Sequence, residues 1–143
     1  MKRLLIWWLT ALLAMPVTAL AKDAPVTAAE ARAVRSVIEN QLDAFSKDDA
    51  VRAFSFAAAP IRRMFETPER FAAMVRQAYP VVYRPASVTF LKPERIDGAT
   101  VQAVQMTDCD GAPWLALYRM TRAADQSWRI GGVELSQARS RAI

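Results

Sequence analysis

The sequence contains no histidine and only one cysteine, Cys109, in 143 residues. The first absence removes the commonest general acid–base and metal ligand. It also removes any serine or cysteine nucleophile that a histidine would activate. The second leaves no disulfide within the chain, and the two together leave no ligand set for zinc. Glycine is scarce, at four residues, and no internal repeat or low-complexity segment occurs, so a collagen-like fibre is excluded. A chain that is 53% hydrophobic and 23% charged is not a disordered polymer. Its length leaves room for one domain, and no motif in it names a reaction.

Long apolar runs are absent except at the start, which excludes a multi-pass membrane protein. Met1-Lys2-Arg3 gives a positive beginning, Leu4 to Met15 is apolar, Pro16 breaks the run, and Val17 to Ala21 ends in a small-x-small pattern. This is the pattern of a secretory signal peptide over residues 1–21, with cleavage expected after Ala21. An uncleaved anchor is disfavoured, because a spanning helix needs about 20 apolar residues. No twin-arginine pair and no cysteine near the cleavage point are present, so neither a Tat signal nor a lipoprotein is indicated. Loss of Lys2 and Arg3 lowers the net charge from +5 to +3. The expected location is the periplasm or the extracellular medium. There an unpaired Cys109 is either a free thiol or half of an intermolecular disulfide, and no reactive-cysteine motif surrounds it.

Beyond a short linker over residues 22–26, Thr27-Ala-Ala-Glu30 has the spacing of a capping box. Ala31, Val34, Ile38, Leu42 and Phe45 then recur at three- and four-residue steps, predicting a helix of about five turns with one buried stripe. Asp48 and Asp49 are both N-cap candidates for a second helix, Ala50 to Ala59, closed by Pro60, which also reads as the start of a short turn over Ile61 to Phe65. Thr67-Pro68-Glu69 starts a third helix that presents Phe71, Met74, Val75, Ala78 and Tyr79 and ends at Pro80. Pro80 to Pro85 reads as a stiff extended connector. Four strand-like runs follow: Ser87–Glu94, Thr100–Thr107, Trp114–Thr121 and Trp128–Leu135. Asp97-Gly98 is a hairpin signal, and Gly131-Gly132 marks a bulge or bend in the last run. Residues 136–143 read as a flexible, arginine-bearing tail. The expectation is an α+β fold, with helices on one face of a curved antiparallel sheet, as a single domain over residues 27–135.

The blocks Ile38-Glu-Asn-Gln-Leu-Asp-Ala-Phe45, Asp48-Asp-Ala50, Phe54-Ser-Phe-Ala-Ala58, Met64-Phe65, Phe71-Ala-Ala-Met-Val75, Tyr79-Pro80, Val82-Tyr-Arg-Pro85 and Trp128-Arg-Ile-Gly-Gly132 resemble, in that order, the bacterial DUF4864 domain. The similarity spans about Val34 to Leu135. By its layout that domain looks like an NTF2-like (SnoaL-like, cystatin-like) cone. The resemblance implies a fold and an internal pocket, but no reaction. Relatives often carry cysteine where this chain has Val133, so any thiol role at that position does not carry over.

Candidate chemistry is sparse. Asp43 is either a pocket carboxylate or a solvated acid on the helix flank, and the latter is the usual fate of aspartate. Asp108-x-Asp110-Gly111 lacks the remaining ligands of a calcium loop and reads as a turn. Tyr79, Tyr83 and Arg84 flank the proline-bounded connector at the expected cone mouth, where two phenols and a guanidinium would hold a carboxylate or phosphate. Gln105 and Tyr118, on neighbouring strands, would line the interior if they face inward. The plainer reading makes the tyrosines packing residues with wet tips and pairs Arg84 with a nearby acid. Arg62-Arg63, Arg139 and Arg141 are too few, and lack interleaved aromatics, for a nucleic-acid surface.

The reading that results is non-enzymatic: an exported domain binding a small apolar or amphipathic ligand, or serving an accessory role in the envelope. One alternative is a histidine-free isomerase- or dehydratase-like enzyme using a buried carboxylate and tyrosine. Another is an interaction module that dimerises through its sheet, because Trp114, Ala116, Tyr118 and Met120 alternate with Leu115 and Leu117, leaving both faces of that strand apolar. No cofactor, nucleic acid or stable membrane insertion is expected.

Overall fold

The computed structural model describes residues 24–138, and the expected signal peptide and the arginines of the expected tail lie outside the described residues. Helix α1 (Ala28–Ser46) begins at a complete capping box. Thr27 Oγ1 accepts from the Glu30 amide at 3.2 Å, and Glu30 returns a carboxylate oxygen to the Thr27 amide at 2.9 Å. Its buried stripe is Val34, Ile38, Gln41, Ala44 and Phe45, so the apolar spacing located the face while a glutamine sits inside it. Asp48 turns the chain in the left-handed region at φ 53°. Asp49 then caps α2 (Ala50–Ser55) by accepting from the Arg52 amide at 3.1 Å.

This second helix stops four residues before its expected end, and the sheet explains why. Ala57 makes a parallel bridge to Ile130, with Ile130 donating to Phe56 O at 2.8 Å and Ala58 donating to Ile130 O at 2.9 Å. The backbone here leaves the helix to cover the free edge of the last strand. Pro60 therefore does not close a helix. It starts the turn expected over Ile61 to Phe65, which is a short helix, α3 (Ala59–Phe65), where its missing N–H costs nothing. Helix α4 (Pro68–Ala78) starts at the Thr67 cap and buries Phe71, Ala72 and Val75. The expected extended connector is instead a one-turn helix, α5 (Pro80–Tyr83), again with proline in the first turn.

The sheet comprises β1 (Ser87–Phe90), β2 (Glu94–Ile96), β3 (Ala99–Thr107), β4 (Pro113–Arg122) and β5 (Trp128–Gln137). It is antiparallel, curved and open, in the order β1-β3-β4-β5, with β2 also paired to β3. The first expected strand is split, because Pro93 has no N–H to offer β3. Asp97 and Gly98 both take positive φ, 50° and 78°, and join β2 to β3 with the Ile96–Ala99 pairing that a two-residue hairpin requires. The register of β4 on β5 slips between Arg119 and Met120, leaving Gly131 as the extra residue of a bulge. β5 runs to Gln137, two residues past its expected end.

The helices cover one face of this sheet, which gives the α+β class expected. Val104, Met106, Ala116, Tyr118, Met120, Trp128 and Ile130 meet Val34, Ile38, Phe45, Phe71 and Val75 in a single core. At one end of the core, Arg95 of β2 pairs with Glu30 of α1 at 3.0 Å, with both side chains largely shielded.

Candidate functional site

Helices α1, α3 and α4 do not close fully on the end of the sheet where β5 bulges. Between them lies a cavity of about 290 Å³ whose walls are mainly Phe45, Ile61, Phe65, Phe71, Met74, Val75, Val82, Ile130 and Val133. Three sequence features build it. The Phe71-x-x-Met74-Val75 spacing aims one face of α4 inward. Pro60 reorients the chain so that Ile61 and Phe65 of α3 form a flank. The bulge at Gly131 bends β5 away and supplies bare backbone. Phe71 anchors the aromatic wall, with ring centroids 5.4 Å from Phe54, 5.8 Å from Phe65 and 6.0 Å from Phe45.

Among the described residues, two polar side chains line this space. Gln41 is 3% exposed and donates Nε2 to Ala53 O at 3.1 Å, which fixes its amide in the wall. Tyr79, half-buried, follows the end of α4. Among the described residues no charged side chain lines the cavity. It can therefore take up apolar surface and offer a few hydrogen bonds, but it holds no carboxylate or ammonium to move a proton.

The opposite side of α5 is polar. A shallow groove there is lined by Asp48, Arg76, Tyr83, Arg84 and the Asp108–Asp110 turn. Tyr83 joins the two regions. Its buried ring packs 5.3 Å from that of Phe45, while its hydroxyl donates to Asp48 Oδ1 and accepts from Arg76 Nη2 at 2.8 Å. Arg84 donates to both Asp48 oxygens, at 3.0 and 2.9 Å, and to Ser46 O at 2.7 Å. The Tyr83 hydroxyl, then the Arg84 and Arg76 guanidiniums, hold the Asp48 carboxyl below its ordinary range. Asp48 thus satisfies the donors around it, and the cluster ties the end of α1 to α4 and α5.

Of the residues singled out from sequence, the fold brings Tyr83 and Arg84 together and sets Tyr79 at the cavity. It separates the other two. Gln105 is exposed on the outer face of β3 and does not line the interior. The inward-facing glutamine is Gln102, 1% exposed and paired in register with Tyr118, with its Nε2 donating to Leu91 O at 2.6 Å. Tyr118 does face inward. It is fully buried, its hydroxyl has no hydrogen-bond partner among the described residues, and desolvation raises its pKa well above that of an ordinary phenol. Asp43 lies on the flank of α1, paired with Arg52 at 2.7 Å and Lys47 at 2.9 Å, so no pocket carboxylate arises there. Asp108 accepts from Trp114 Nε1 at 2.9 Å and from the Ala112 and Asp110 amides, as a turn residue does.

Gln41, Asp48 and Arg76 were not anticipated in these places. Gln41 carried a signal, since it interrupts the Ile38–Leu42–Phe45 stripe. Asp48 carried none, because its partners Tyr83 and Arg84 are remote in sequence, and Arg76 meets Tyr83 only because the chain turns between α4 and α5.

The sequence matches the family described as Domain of unknown function (DUF4864) over residues 27–143. No curated protein and no solved structure matches it.

Proposed function

The chain belongs to the DUF4864 family, and we propose that it is an exported binding protein that holds a small apolar or amphipathic molecule between its helices and the inner face of its sheet. The carrying observation is the cavity of about 290 Å³: aliphatic and aromatic walls, one fixed amide, one tyrosine and no charge. Such a lining rewards desolvation of an apolar ligand and uses a few polar groups to orient it. The order of helices and then a curved sheet supports an NTF2-like cone, a shape that encloses ligands between those two layers. The signal-like pattern of residues 1–21 supports export to the periplasm or beyond. The role is retention rather than turnover, because among the described residues the Tyr79 phenol is the only titratable side chain lining the cavity.

The test has two arms. Native mass spectrometry of protein exported by its own host is expected to show an added mass that leaves on denaturation. Ligand-stripped protein is expected to bind N-phenyl-1-naphthylamine, a neutral apolar fluorophore, at one saturable site. Met74→Trp fills the cavity and should weaken that site by at least about tenfold while leaving the unfolding midpoint near that of the parent. A probe affinity identical in the two proteins would place binding elsewhere and sink the reading.

A further inference from the structure

Among the described residues no helix covers the outer face of the sheet, yet that face is not built like a solvated one. Val101 and Leu117 are half-buried there and Ile96 remains 47% exposed. With Gly132 and the charged pair Arg119 and Glu134, they line a groove of about 330 Å³. We propose that this face is a two-fold interface between copies of the chain, seated on Leu117 and Gly132 and fixed by reciprocal Arg119–Glu134 ion pairs.

The two adjacent glycines of β5 make the first argument. Gly131 is required by its own chain, because a Cβ there would lie 3.0 Å from Thr121 Cγ2 and 3.4 Å from Arg119 O. Gly132 is not. Its φ is outside the left-handed region, and a Cβ built on it would meet nothing within 4 Å. Glycine inside a strand costs roughly 0.5–1 kcal/mol relative to alanine, and a strand glycine marks a bulge, a bend or the close approach of a ligand or another backbone; the bulge here is taken by Gly131. Gly132 sits across from Arg119 in the ladder, beside the exposed apolar residues.

Charge names the occupant. Arg119 faces Gly132 and Glu134 faces Leu117, so the two charges sit diagonally across a small rectangle. Among the described residues neither forms an ion pair with any other group. A two-fold axis lying between two such sheets, crossing midway between Arg119 and Glu134, sets the arginine of each copy over the glutamate of the other. Opposite charges placed off-centre on one face are what an isologous contact requires. The bare backbone at Gly132 leaves room for the incoming side chain. A partner of one charge sign would leave one member of the pair desolvated and unmatched.

The experiment is sedimentation velocity of the processed chain across roughly a thousandfold dilution series, with an unfolding curve for every variant. The parent is expected to be dimeric at the concentrated end and to dissociate on dilution. Arg119→Glu and Glu134→Arg should each weaken the dimer by at least about tenfold, and the double exchange should restore most of the loss. Gly132→Leu should weaken it without lowering the stability of the dilute monomer. A parent that stays monomeric throughout overturns the proposal, and so does a dimer that none of these substitutions moves. A dimer weakened by each single exchange and not recovered by the double overturns the reciprocal pairing.

Discussion

Strand β4 shows two fates for apolar side chains one residue apart. Ala116, Tyr118 and Met120 point under the helices and are sealed at 0–2% exposure, whereas Leu115 and Leu117 point to the other face and stay half-buried. Composition does not distinguish the sets, since leucine is at least as apolar as tyrosine. Their difference lies in what covers them, and it teaches that burial in this molecule belongs to the helical layer rather than to the strand.

The sharpest way to break that comparison is to truncate one residue on each side of the sheet. Phe45 lies in the covered layer at 1% exposure and touches the rings of Phe71 and Tyr83. Phe45→Ala removes that packing and leaves a cavity, so a loss of about 3–5 kcal/mol is expected by chemical denaturation. Leu117→Ala, measured on dilute monomer, should cost no more than about 1 kcal/mol, because half of its surface is already in water. Equal costs would mean that the outer face is as tightly built as the inner one.

A smaller and more local contrast lies in β5. Gly131→Ala pushes a methyl group against Thr121 Cγ2 and the Arg119 carbonyl, and a loss of about 1–2 kcal/mol is expected. Gly132→Ala meets open space and should stabilise the dilute monomer by about 0.5 kcal/mol through the lower entropy of the unfolded chain. Reversal of these signs would show that the bulge sits at Gly132 instead.

Within the covered layer, Tyr118 sharpens the comparison in the opposite sense. Its hydroxyl is buried without a partner, so burial there carries a penalty that phenylalanine avoids. Tyr118→Phe should leave stability unchanged or raise it by up to about 1 kcal/mol. A loss larger than that, seen in the unfolding midpoint, would reveal a partner for the hydroxyl such as a bound water.

The same contrast governs how much of the molecule could be read from its sequence. Local rules worked where one short segment decides the outcome. The Thr27–Glu30 box, the Thr67-Pro68 start, the Asp97-Gly98 turn and the bulge at Gly131 all follow from their own few residues. They failed where a distant element decides. The helix after Asp49 ends early because Ile130 of β5, more than seventy residues later, donates to Phe56 O and accepts from the Ala58 amide. The first part of the Pro80–Pro85 segment, Pro80–Tyr83, winds into a helical turn that docks the Tyr83 ring on Phe45 and its hydroxyl on Asp48. Without a register the sequence leaves the face of Gln105 open, and a shift of an odd number of residues along β3 exchanges the faces, so the fold turns Gln105 outward and brings Gln102 inside. The cavity was legible only as a stripe on α4, since its other walls come from α1, α3 and β5.

Asp48 gives the smallest expected effect and the cleanest separation of charge from backbone. Its carboxyl is held below the ordinary range first by the Tyr83 hydroxyl and then by Arg84 and Arg76. A carboxylate whose folded pKa is depressed contributes stability above its unfolded value of about 4, and that contribution is lost as pH falls through the folded pKa. The parent should therefore lose unfolding midpoint below about pH 4 more steeply than Asp48→Asn, and the two curves should converge in acid. Asparagine is the informative substitution because it tolerates the positive φ of 53° about as well as aspartate does, so the backbone turn is kept while the charge is removed. Alanine would mix the two losses, and Asp48→Gly would relieve the turn while deleting the ion pairs. The effect stays small because Asp48, Arg76 and Arg84 are each more than half exposed, and water screens pairs of that kind. Curves that ran parallel through the acid range would show that the cluster is held by the Tyr83 ring and the Arg84–Ser46 hydrogen bond, with the carboxylate contributing nothing.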